Sequence, residues 1–88
     1  MANKNVETDA LRTVRAAVKT YREAIMTDVK KMRDAVQDCH DNLGQDEYSK
    51  KTKAELTESL GSILKAIEQA EDLEARLSRR IKELEDSV

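Results

Sequence analysis

The ten residues Cys39-His40-Asp41-Asn42-Leu43-Gly44-Gln45-Asp46-Glu47-Tyr48 interrupt an apolar pattern of helical period that runs through the rest of the chain. Gly44 suits a left-handed helix C-cap, Asn42 tolerates the same backbone region, and Asp46 offers an N-cap oxygen two residues later. The chain is therefore expected to reverse here, through a turn at about residues 42–46. Because this stretch lies near the middle of 88 residues, it divides the chain into two arms of similar length.

On its N-terminal side, residues 1–7 are polar and without period and read as a frayed arm. Thr8 or Asp9 is the expected helix start, with Asp9 also favoured at the positive end of the helix dipole. Apolar residues then fall at Leu11, Val14, Val18, Tyr21, Ile25, Val29, Met32, Val36, Cys39 and Leu43, in steps of three and four. The two successive steps of four at Tyr21-Ile25-Val29 predict one heptad stutter inside a continuous helix over about 9–41. On the C-terminal side the line runs Leu56, Leu60, Ile63, Ile67, Ala70, Leu73, Leu77, Ile81, Leu84 and Val88, predicting a helix over about 47–86. Asp46-Lys50, Glu47-Lys51 and Asp72-Arg76 stand at the i,i+4 spacing of supportive ion pairs. Gly61 lies inside this helix at a cost of roughly 1 kcal/mol relative to alanine, either tolerated beside a bulky neighbour or marking a close helix crossing or kink.

The composition agrees with long helices: no proline, no tryptophan, two glycines, and 39% charged residues. Disorder is the competing reading of so charged a chain, but a solvated disordered segment has no reason to keep an apolar period. The fold class is thus all-α, a single antiparallel two-helix hairpin spanning residues 1–88. Each helix can bury one stripe against the other, while Leu64, Ala17, Ala24, Ala35 and Ala66 widen the stripes beyond what one neighbour covers. Burial of the surplus favours pairing into a four-helix-bundle dimer, whether with a second copy or with a different hairpin. The expected partner interface comprises Leu11, Val14, Val18, Tyr21, Ile25, Val29, Met32 and Val36 of the first helix. From the second it takes Leu56, Leu60, Ile63, Ile67, Leu73, Leu77 and Ile81.

Sixteen basic against 18 acidic residues give a net charge of −2 with both signs mixed, which disfavours nucleic acid as a partner. No stretch approaches the ~20 apolar residues of a membrane span, and the start does not resemble a Sec signal peptide. The lone Cys39 cannot form an internal disulfide. With His40, Asp38 and Asp41 it makes the only cluster suggestive of a metal or nucleophile. Adjacent helical residues diverge by about 100°, however, and zinc spacings such as Cys-x-x-Cys are missing. The plainer reading is a half-buried Cys39 with His40 at the negative end of its helix. Tyr21 reads as a stripe residue, and Tyr48 as a staple packing on Leu43 across the turn. No catalytic residue, cofactor or metal is expected.

The midpoint Asn42-Leu43-Gly44 turn between two amphipathic helices resembles the WXG family of small helical hairpins associated with type VII secretion. Gly44 matches the glycine of the family's Trp-x-Gly turn and Leu43 the free position, while Asn42 stands where the tryptophan would be. The resemblance implies export without a Sec signal, starting from the cytoplasm. Such pairs usually carry a Tyr-x-x-x-Asp/Glu signal after the second helix of one member. Here no tyrosine follows Tyr48, and Tyr48 is followed four residues on by Thr52. The implied role is the member that lacks the signal: a substrate, or a targeting partner or chaperone of a secreted effector with a helical N-terminal domain. A cytoplasmic coiled-coil adaptor or regulator unrelated to secretion is the competing class.

Overall fold

In the computed structural model, which describes residues 4–87, the chain is an all-α helical hairpin of α1 (Lys4–Asn42) and α2 (Glu47–Asp86). The first helix starts well before Thr8 or Asp9, so the arm expected to fray over residues 1–7 is helical from Lys4 onward; residues 1–3 lie outside the described residues. The reason is tertiary. Thr8 is buried against α2 and the Glu7 carboxylate accepts from Arg80 at 3.3 Å, so contacts with α2 hold turns that have no apolar period of their own.

Both helices are divided between two compact units, Met1–Glu23 with Glu68–Val88 and Ala24–Ile67. In the first unit the residues withdrawn from solvent on α1 are Thr8, Leu11, Arg15, Val18 and Arg22 along the seam, with Glu7 half-buried beside Thr8; on α2 they include Ala70, Glu74, Leu77, Ile81 and Leu84. In the second unit they are Ile25, Val29, Met32, Val36 and Cys39, facing Lys53, Leu56, Leu60, Ile63 and Ile67. Each row advances by alternating threes and fours, which is an uninterrupted heptad seam.

This corrects the expected stutter. The seam passes through Arg22, not Tyr21, and through Glu74 with Leu73 half-buried beside it. An arginine stem can lie along an apolar seam while its head group finds a partner. Here Arg22 Nε donates to Glu74 Oε2 at 2.6 Å and Nη2 to Oε1 at 3.3 Å, a two-pronged pair with side-chain exposures of 21% and 18%. Val14 and Tyr21 are left outside the seam, 48% and 58% exposed.

Flanking ion pairs hold the first unit on either side of its seam: Arg80 with Glu7, and Arg12 with Glu85. The core is thin. Ala70, Ile81 and Leu84 are buried in the first unit and Val29, Cys39 and Ile67 in the second, yet no described side chain is fully buried. Leu64 and Ala66 are half-buried as the stripe width suggested, whereas Ala17, Ala24 and Ala35 are exposed. Asp46-Lys50, Glu47-Lys51 and Asp72-Arg76 form no ion pair in the structure, and such exposed pairs contribute little in any case.

Candidate interaction surface

At the turn, Leu43 N donates to Cys39 O at 3.0 Å, closing the last turn of α1, and Asn42 Nδ2 donates to Asp38 Oδ1 at 2.7 Å. The left-handed cap expected at Gly44 is not formed, since no described residue has a positive φ. The Gly44 carbonyl, beyond the end of α1, accepts from Lys53 Nζ at 3.2 Å, which ties the turn to the first turns of α2. Asp46 caps α2 as its position suggested: Ser49 N donates to Asp46 Oδ1 at 2.7 Å. That backbone hydrogen bond, then the Ser49 hydroxyl, holds the Asp46 carboxyl below its usual pKa. The expected staple is absent, for Tyr48 is 78% exposed and Leu43 38%. The turn carries Asn42, Leu43 and Gly44 all exposed, and brings no reactive groups together.

Most residues expected to face a partner are spent within the chain. Leu11, Val18, Leu77 and Ile81 lie on the first unit's seam; Ile25, Val29, Met32, Val36, Leu56, Leu60, Ile63 and Ile67 lie on the second's. What remains outward is different in character. On α1 of the first unit, Ala10, Thr13, Val14, Ala17, Thr20 and Tyr21 are all exposed, and none is charged. At 100° per residue they occupy an arc of about 120°, which Val6 extends toward the N-terminus. Glu7 and Asp9 stand only at its edges.

Two features suit this arc to burial. The Thr13 hydroxyl donates to Asp9 O at 3.0 Å and the Thr20 hydroxyl to Ala16 O at 3.1 Å, so both hydroxyls are bonded on their own helix before any partner arrives. Covering them would strand no donor. The alanines and threonines are short, which lets a second helix approach near the lower end of the 8–10 Å interaxial range, while Val14 and Tyr21 project beside them. Sequence reasoning placed Val14 and Tyr21 on the first helix's stripe and in the expected partner interface and counted Ala17 among the residues that widen it, but missed Ala10, Thr13 and Thr20. The available signal was the lack of charge along one arc of a chain that is 39% charged.

The opposite flank of α1 in the same unit is basic. Arg12, Arg15, Lys19 and Arg22 recur at steps of three, four and three and line a groove of ≈ 470 Å³ with Ala16, Glu74 and Ser78. A larger hollow of ≈ 630 Å³ along Gln69, Asp72, Ala75, Arg76 and Arg79 is the outer surface of α2 alone, without groups converging from a second element. Cys39 is buried while His40 and Asp41 are exposed, and the described residues contain no group of three His, Cys, Asp or Glu side chains able to hold a metal. No described helix is long and apolar enough to cross a membrane. Comparison with protein families, with characterised proteins and with solved structures gives no match.

Proposed function

We propose that this chain is a non-catalytic interaction protein that docks a second helical hairpin against the uncharged arc of α1, acting as a WXG-like partner of a type VII secretion substrate. The observation that carries the docking reading is the arc itself, six exposed uncharged residues from Ala10 to Tyr21 whose threonine hydroxyls are already bonded. The thin core supports it. With no described side chain fully buried, further burial along α1 adds stability in proportion to apolar area, at ~25 cal/mol per Å². The secretion reading rests on the Asn42-Leu43-Gly44 turn at the midpoint of the hairpin.

The test is co-expression of the chain with the products of its neighbouring genes, followed by pull-down. The wild type is expected to retain a helical partner. Val14→Asp and Tyr21→Asp are expected to stay folded, because both positions lie outside the seam, and to weaken retention by roughly 100-fold or more, since each places an unpaired carboxylate in the interface. Recovery of the chain alone, with secretion unchanged on its deletion, would refute the secretion reading in favour of an adaptor. Retention unaffected by both substitutions would refute the arc as the docking face.

A further inference from the structure

The basic groove lies on the flank of α1 away from the uncharged arc, so what occupies it is independent of the docking reading. Its two ends are neutralised within the chain, Arg12 by Glu85 and Arg22 by the two-pronged contact to Glu74. The middle is not. Arg15 is half-buried on the seam, where Nη1 donates to the Ser78 hydroxyl at 3.2 Å, and no described carboxylate lies within ion-pairing distance of it. Lys19, one turn on, approaches Glu23 only at 3.9 Å, too far for a hydrogen bond. A guanidinium fork, an ammonium and a hydroxyl therefore converge from two helices with most of their donors unspent.

We propose that this groove binds the phosphate group of a small soluble compound, held by Arg15, Lys19 and Ser78 between the two internal ion pairs. The donor set favours phosphate over a carboxylate. Arg15 and Lys19 offer two positive charges to match an anion of −1.5 to −2, and three donor groups at different heights suit a tetrahedral cluster of oxygens better than a planar pair. A groove of ≈ 470 Å³ falls in the size range of small-ligand sites.

The experiment titrates the isotopically labelled full chain with inorganic phosphate at constant ionic strength, with sodium acetate as the parallel arm. Phosphate is expected to shift the Arg15 Nε–H and Ser78 amide resonances saturably. At tenfold its dissociation constant it should raise the melting temperature by roughly 5–10 °C, with no comparable effect of acetate. Arg15→Gln is expected to abolish the saturable response. Lys19→Gln, at an exposed position that the fold does not need, should weaken it about tenfold. Equal responses to phosphate and acetate, or a phosphate response that survives both substitutions, would overturn the assignment. Cosedimentation with phosphatidylglycerol vesicles in the absence of saturable phosphate binding would overturn the soluble ligand in favour of a lipid headgroup.

Discussion

Replacing Gly61 with alanine should stabilise this protein. Gly61 lies inside α2 in the unit formed by Ala24–Ile67, is exposed, and, apart from its chain neighbours and its own helix backbone, has no atom within 4 Å of where a Cβ would stand. Its φ is not positive, so an L-side chain fits the backbone as it is. A close helix crossing or a packing role against a bulky neighbour is thereby removed, and what is left is the intrinsic cost of glycine in a helix. That cost is about 1 kcal/mol, arising from the backbone freedom of the unfolded chain and not from any lost contact. For a chain of this length Gly61→Ala should raise the melting temperature by roughly 4–8 °C. It should also move the urea midpoint upward by about 0.5–1 M with an unchanged m-value. The assay is urea and thermal unfolding followed by far-ultraviolet circular dichroism at two protein concentrations, because association would add a concentration-dependent contribution. A loss of stability, or a gain only at the lower concentration, would show that another backbone sits against Gly61 in solution and refute the argument.

Two other outcomes follow from the seam and the cap. Exchanging the charges of the seam pair should be tolerated: Arg22→Glu or Glu74→Arg alone places like charges together and lowers the urea midpoint, while the double exchange recovers most of the loss. Additive losses in the double variant would mean the pair is not coupled. Asp46→Ala should destabilise the protein near neutral pH. Since folding holds this carboxyl below its usual pKa, the wild-type advantage is present above the unfolded value of about 3.9 and disappears as the pH falls through the folded one. Urea midpoints compared at about pH 7 and about pH 3 check this, and a difference that does not change with pH would exclude the charge of the carboxylate as its source.

The site was only partly legible in the chain. Reading apolar residues alone placed Val14, Tyr21 and Leu73 on the stripe and produced a stutter, because an apolar count cannot register Arg15, Arg22 and Glu74 as seam residues. Arginine and glutamate qualify only when each finds the other across the helix pair, which is a fact of register between segments some fifty residues apart. Gly44 does not take the left-handed conformation its residue type permits, and its carbonyl is held by the side chain of Lys53, nine residues away, a contact that local sequence does not signal.

The sequence by itself determined the two helices and the reversal between them. The 3.6-residue period, the lack of proline, the Asn42-Leu43-Gly44 break and the Asp46 cap are local properties, acting through bonds between residues a few positions apart. The second helix accordingly begins and ends where the pattern predicts, at Glu47 and Asp86. Only the tertiary structure decided how early α1 begins, which residues form the seam, and that an uncharged arc and a basic groove lie on opposite flanks of α1. Those outcomes depend on which side chains of one helix meet which of the other, and packing and ion pairing between distant residues are selected by the assembled register, not by the order of residues along either helix.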